Sequence, residues 1–430
     1  MPGPDRLAIL PSNCACAQYA SIDRGRHDQN LTNPDRADQP VASRSVRRPA
    51  SPVHAASVIS TADMQSLRAE LRAAGVFAHD ERAGWLKFGA ALAVVAACLV
   101  GIVLLPLAAA FVLVPIAAIF ATTGAMFGHE GSHRSFASSP FRNQLLQHIA
   151  FPLFTGLGAS YWKYKHDGKH HGHPNVYDQD PDLHLWPMVS SRLDHERATR
   201  PLRWFHRHLQ GWAFWPLTTL MPIGMRGSSI IHLVREARRG RVDGSWIADA
   251  SCLATHYTAW LVIPSLVWGV APTFALYFAL WSSVGVLLAL VFAPAHIGLP
   301  VAANQYNDWQ HQLETTRNLA TPRWLSWFFV GLDFQIEHHL FPKIPHQHIR
   351  RAAVIVSAWC RRLDLPYRTI GYGPAVVSVT RFMHGAWNEA PVDRDAMRAA
   401  SAPRRVATIA DAALEARTSG ESSSVSAALG

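Results

Sequence analysis

Residues 107–133 read LAAAFVLVPIAAIFATTGAMFGHEGSH. From 107 to 127 the run is apolar or small and uncharged, close to the roughly 20 residues a helix needs to cross a bilayer. It passes through Gly128 into His129 and His133, which stand four apart and share one face if the helix continues. Histidines at that spacing are common on ordinary surfaces; this pair lies at the end of a candidate span. Upstream, residues 86–105 are almost wholly apolar after Lys87, and only Pro106 separates the two runs, so they read as a helical hairpin. A second pair, at about 253–270 and 273–292 with Ala271 and Pro272 between, delivers the chain to His296. Two hairpins make the crossings even, which leaves both termini and every polar stretch on one face. Those stretches hold most of the Arg and Lys, so the positive-inside rule makes that face cytoplasmic. The expected fold is an all-α integral membrane protein: four transmembrane helices as two hairpins, with a cytoplasmic helical cap.

The composition suits a molecule only partly dissolved in lipid. Hydrophobic residues make up 49% of the 430 positions and charged ones 16%, against about 25% in a typical soluble domain. Mean hydropathy of +0.04 is too low for bare spans, so a large polar portion must accompany them. Much of the net charge of +10 lies in the ends, at Arg24, Arg26, Arg44, Arg47 and Arg48 and at Arg398, Arg404 and Arg405. No finger, helix-turn-helix or stacking motif accompanies it, so nucleic acid is not an expected partner. Residues 1–60 and 385–430 lack helical or strand periodicity and read as disordered tails around a membrane domain at 61–384. Inside that domain, 61–75 reads as an amphipathic helix at the membrane surface, capped by Thr61 or Asp63 and stopped by Gly75. Residues 212–223, apolar but short and broken by proline, read as interfacial or re-entrant. Cys14, Cys16, Cys98, Cys252 and Cys360 show neither finger nor paired spacing, which fits a reducing compartment.

Two further groups among the 23 histidines repeat the first pattern. His166-Asp-Gly-Lys-His170-His171 has the same four-residue spacing and adds an adjacent ring that points elsewhere, so neighbours can serve different ions. Gln335-Ile-Glu-His338-His339 again ends in a pair. Imidazole-rich ligation suits Fe, Zn or Cu rather than Mg or Ca. Soluble di-iron bundles rely mainly on Glu, and a zinc hydrolase needs only about three protein ligands. The excess of imidazoles favours a pair of irons able to bind O2 between them.

GHEGSH (128–133), HDGKHHGHPN (166–175) and FQIEHHLFP (334–342) resemble the three histidine boxes of membrane fatty acid desaturases, and WQHQLETTRN (309–318) resembles the stretch before the third box. The likeness covers about residues 80–365, and the glutamine opening the third box resembles the front-end, acyl-lipid and linoleoyl-type branch. It implies that His129, His133, His166, His170, His171, His338 and His339 are catalytic iron ligands. His296 stands where relatives supply one further ligand, and Gln335 where the general pattern has a histidine, so both join the metal-binding set. It also implies two Fe ions, O2 as co-substrate, and formation of a double bond in the acyl chain of a lipid or acyl thioester. A hydroxylase on the same centre is the alternative within this chemistry. A histidine-rich metal transporter belongs to another class, and it would place its ligands near the bilayer midplane rather than beside the spans.

Eukaryotic front-end enzymes usually carry a fused haem domain with a His-Pro-Gly-Gly signature. None occurs in the N-terminal tail, which implies an external electron donor, a ferredoxin or a cytochrome with its reductase. Glu130 stands where the family commonly has Asp, and either carboxylate can orient an imidazole. Asp333 and Glu337 are candidates for holding ligating rings; His173, His346 and His348 stand close to the boxes but read first as ordinary histidines, with a place beside the metals as the lesser alternative. His184, His195, His206, His208, His232, His256 and His311 are expected at the surface or interface. Trp162, Trp186, Trp204, Trp212 and Trp215 could line an acyl tunnel, but an aromatic belt at the headgroup level is the simpler reading.

Overall fold

The computed structural model describes residues 59–304 and 308–393; the expectations for 1–58 and 394–430 lie outside them. Helix α1 (Thr61–Ala73) is capped by Ser60, not by Thr61 or Asp63. Ser60 has the extended backbone of a cap and its hydroxyl accepts the Asp63 N–H at 3.1 Å, while the Asp63 carboxylate accepts the Ser60 N–H at 2.9 Å. The apolar face of α1, Met64, Leu67 and Leu71, packs into a core with Ile349, Val356 and Trp359.

Helices α2 (Glu81–Leu104) and α3 (Leu107–His133) are joined only by Leu105 and Pro106. They meet through Val95, Cys98 and Ile102 on one and Ala110, Val114 and Ala117 on the other. Helix α3 does not stop at 127. It runs on to His133 and ends where Arg134 takes a left-handed φ of 57°. Helices α4 (Pro140–His148) and α5 (Ala159–Trp162) each pass into a π-helical turn, at Ile149–Thr155 and Lys163–His170. Then come α6 (Arg192–Arg197), α7 (Arg200–His208), α8 (Gln210–Thr218) and α9 (Met221–Arg238). The 212–223 segment is thus shared between the end of α8 and the start of α9.

The third apolar helix, α10 (Gly244–Tyr257), begins at Gly244 rather than near 253, because Asp243 caps it by accepting the Trp246 N–H at 2.9 Å. It continues through a π-helical turn, Thr258–Val262, into α11 (Ile263–Trp268). The break before α12 (Val270–His296) falls at Gly269, with φ of 80°, and not at Ala271 and Pro272. Pro272 sits instead in the first turn of α12, where a missing N–H costs nothing. The turn between α8 and α9 seats on the middle of α12: a Cβ at Gly285 would lie 2.4 Å from the Thr218 oxygen and 2.6 Å from Pro222.

The rest comprises α13 (Asp308–Thr315), β1 (Asn318–Ala320), α14 (Arg323–Phe329), α15 (Gln335–Leu340), α16 (His346–Arg362), β2 (Thr369–Gly371) and α17 (Tyr372–Gly385). Strands β1 and β2 pair in parallel, Asn318 opposite Thr369, so the fold is mostly rather than purely helical. The chain stays packed past 385, with Trp387 against His195 and Val392 bridged to Ala302. Among the described residues, four helical stretches are long and apolar enough to cross a membrane: Glu81–Leu104, Leu107–His133, Gly244–Trp268 and Val270–His296. Their outward faces carry exposed Leu104, Val112, Leu266 and Phe274, a surface suited to lipid.

Candidate metal centre

The ends of α3 and α12, the π-helical turn after α5 and the short α15 bring eight histidines together. His129, His133, His166, His171 and His338 form one group and His170, His296 and His339 a second, with one ring nitrogen from each member within 4.8 Å of the others in its group. The groups touch, since the rings of His171 and His339 stack at 4.3 Å. Adjacent histidines are divided between them, one to each group. His166 and His171 share a group although four-residue spacing pairs His166 with His170. The helix there is π-wound, with the His171 N–H donating to the His166 carbonyl at 3.0 Å, so residues five apart line up.

Neighbouring side chains fix the rings. The Nδ1 of His170 lies 3.1 Å from both oxygens of Asp180, and that of His339 lies 2.8 Å from the Gln312 amide oxygen. With Nδ1 as the donor, each ring turns an Nε2 lone pair toward the centre. Asp180 also accepts the N–H groups of Asn175 and Asp182, and Asn175 donates to the His296 carbonyl at 3.1 Å, so one carboxylate ties the stretch from His170 to Asp182 to the end of α12. Gln312 donates in turn to the His171 carbonyl at 2.8 Å. Farther out, Asp249 of α10 accepts the N–H groups of Ala159 and Ser160 at 3.0 and 2.9 Å and anchors the start of the segment that carries His166.

Burial, reinforced by neighbouring rings, holds His166, His171, His338 and His339 well below the ordinary imidazole pKa, so they are neutral donors at pH 7. His170 differs: burial opposes its charge, but Asp180 outweighs burial and its pKa is raised. Within the larger group, Nε2 atoms lie 2.9 Å apart for His129 and His166, 3.2 Å for His166 and His171, and 3.0 Å for His171 and His338. These nitrogens lie close enough together to converge on one cation. Among the described residues the Nε2 atom of His339 is buried without a hydrogen-bond partner, as a ligand atom facing an ion would be, and that of His133 has the Asp167 carboxylate at 3.6 Å.

Gln335 is buried at the first position of α15, donates its amide to the Leu332 carbonyl at 2.9 Å and neighbours the His296 ring. Neither Asp333 nor Glu337 holds a box ring. Asp333 accepts the hydroxyls of Thr321 and Ser326, and Glu337 accepts from Tyr367 and Asn318. Burial pushes Glu337 up to about 7. Both are taken up in tying β1 and its neighbours to α15. Glu130 does orient an imidazole, that of His346, at 2.8 Å. His195, His206, His256 and His311 are buried rather than at the surface, because each meets an internal partner: His195 and His206 each other, His256 the Leu153 carbonyl and His311 the Pro174 carbonyl. Trp186, Trp204 and Trp212 are exposed, but Trp162 is buried and stacks on His166 at 4.6 Å. Sequence reasoning missed Asp180, Asp182 and Gln312; Asp182 can join His166 and His170 in a third, more exposed group. A run of carboxylates ten or so residues beyond the second box was the available signal.

A sequence model described as fatty acid desaturase matches residues 103–371, more than half of the chain. Among curated relatives, Delta(8)-fatty-acid desaturase 2 of Arabidopsis thaliana is 27% identical over 276 residues, 61% of this chain and 60% of that one. Acyl-lipid (8-3)-desaturase of Thraustochytrium is 28% identical over 257 residues, covering 58% and 56%. Acyl-lipid (9-3)-desaturase of Borago officinalis is 28% identical over 265 residues, covering 58% and 57%. The match spans less than two thirds of the length of these relatives. The family match at 103–371 takes in all three box segments and His296, so the chain that gathers these imidazoles belongs to the fatty acid desaturase family.

Proposed function

We propose that this chain is an O2-dependent fatty acyl desaturase that acts on the acyl chain of a lipid or acyl thioester and takes electrons from a separate ferredoxin or cytochrome with its reductase. The sorting of eight imidazoles into two touching groups, with few carboxylates among them, carries the reading. His129, His133, His166, His171 and His338 would hold one iron and His170, His296 and His339 the other, with Gln335 beside His296. When bound, the two irons would activate O2, the oxidant that removes hydrogen from an unactivated C–H bond. The chain itself supplies geometry and exclusion. Asp180 and Gln312 hold ring protons on the outer nitrogens, burial keeps most of the rings neutral, and Trp162 and Phe292 cover His166 with an apolar wall. Such a wall keeps bulk water away and gives an alkyl chain a surface to lie on.

The reading places the catalytic unit at 61–384, with four spans as two hairpins and the metal centre and both termini on the cytoplasmic face. The short connections at Leu105–Pro106 and Gly269 support that topology. Elemental analysis of detergent-purified protein should find about two irons per chain and little zinc. Lipid profiling of a desaturase-deficient host that expresses the chain should reveal a new double bond. A single zinc, with product still formed after iron is stripped, would overturn the proposal.

A further inference from the structure

Two neighbouring residues, Arg317 and Asn318, grip two different ligand-bearing helices. Arg317 is 7% exposed, lies just before β1 and faces the end of α12, the helix that finishes at His296. A helix end leaves carbonyls without an intrahelical partner, and the helix dipole favours a cation there. The Arg317 Nε donates to the Pro294 carbonyl at 2.7 Å, its Nη2 to the Ile297 carbonyl at 2.8 Å and its backbone N–H to the Ala295 carbonyl at 3.1 Å. The same Nη2 donates to the Ser378 hydroxyl of α17 at 2.7 Å. The weak point of this helix end is Pro294, whose ring leaves the Leu290 carbonyl without its usual N–H. Tyr372, which follows β2 directly, fills that gap by donating its hydroxyl to Leu290 at 3.1 Å.

Successive side chains of an extended segment point to opposite sides, so Asn318 turns the other way, toward α15. It is 2% exposed. Its amide oxygen accepts the Ile336 N–H at 2.9 Å, one of the free donors in the first turn of α15, and its amide nitrogen donates to the Glu337 carboxylate at 2.8 Å. The next backbone N–H, that of Leu319, donates to the Asp333 carbonyl at 2.8 Å. Helix α15 carries His338 and His339, and the rings of His339 and His296 lie 4.8 Å apart in the smaller group. The pairing of β1 with β2 joins this dipeptide to Tyr372, so one hydrogen-bonded unit holds both α12 and α15. It acts on the helices rather than on the rings.

We propose that Arg317 and Asn318 are positioning residues that set the approach of His296 to His339, Arg317 by fixing the end of α12 and Asn318 by fixing the start of α15. This rests on the reading above, in which the two groups hold two irons. The test is anaerobic Fe2+ titration of the full-length apo-protein in detergent, scored by stoichiometry and by chelator competition. Wild-type protein should take up two ions, and Arg317→Ala should hold one as before and the other about 10- to 100-fold more weakly. Arg317→Lys keeps the charge at the helix end but not the fork of donors, so it should fall between the two. Asn318→Ala should weaken both ions, since α15 supplies His338 to one group and His339 to the other. His296→Ala should lose the same ion as Arg317→Ala, and the double variant should lose no more than His296→Ala alone. Equal weakening of both ions in Arg317→Ala, unchanged affinity in that variant, or a further loss in the double variant overturns the proposal. Uptake of fewer than two ions by the wild type overturns it together with the two-iron reading. Should Arg317→Ala fail to fold, Arg317→Lys, alone and combined with His296→Ala, decides between the same outcomes. Failure of the desaturase reading alone has a separate signature: two ions bind and respond as described, yet the loaded protein forms no double bond with reductant and O2.

Discussion

Gln335 and His338 lie three residues apart in one short buried helix, yet their chemistry differs. An imidazole Nε2 is a strong donor to iron, whereas Gln335 has its amide N–H committed to Leu332 and offers only a carbonyl oxygen. His338→Ala should abolish product and lower the metal content; Gln335→Ala should cut product while most of the metal stays. Equal metal loss in the two variants would make Gln335 a ligand of equal weight. Asp180 is the other decisive residue, because His170, Asn175 and Asp182 all depend on its carboxylate. Asp180→Ala should weaken metal binding about 10- to 100-fold in chelator competition, and Asp180→Asn less. Unchanged affinity would mean that packing alone aims the His170 ring.

Among the elements, α3 matters most, since a single rod both passes through the apolar region and carries His129 and His133 in its last turns. Its seat on α4 depends on Gly131. A Cβ there would lie 2.8 Å from the Asn143 carbonyl oxygen and 3.1 Å from the Gln147 nitrogen, backbone atoms that cannot swing aside. Gly131→Ala should cost about 1–3 kcal/mol in denaturant unfolding, the usual range for overpacking, and should lower metal content as the first box shifts. Wild-type stability in that variant would show that α3 and α4 slide apart freely. The π-helical turn at Lys163–His170 is the counterpart for the second box, because its winding decides which histidine of the adjacent pair joins which group.

At the scale of the molecule, the proposed topology puts every box on one side of the membrane. Single cysteines introduced at Ser138, Arg238 and Arg351, in a chain whose native cysteines are replaced, should react with an impermeant label from the cytoplasmic side only. Reaction of any one of them from the opposite side would break the even-crossing arrangement.

Much of this was legible in the residue order because it depends on local regularities. Uninterrupted apolar runs report the four candidate spans, and histidine spacing reports the ring clusters, since both follow from helical geometry alone. The partition of rings between two groups was not legible: four-residue spacing joins His166 to His170, and only the π winding, held by surrounding packing, brings His171 to it as well. The start of α10 turned on one capping carboxylate, Asp243, where hydropathy averages over many residues. Asp180, Gln312 and Asp249 reach their partners across the fold, and so do the internal partners of His195, His206, His256 and His311. Contacts between segments far apart in the chain leave no periodic trace. The residue order determined which side chains could bind metal and roughly where the candidate spans lie, because both follow from local composition and spacing; the tertiary structure decided which rings converge and what aims them, because those contacts join segments far apart in the chain.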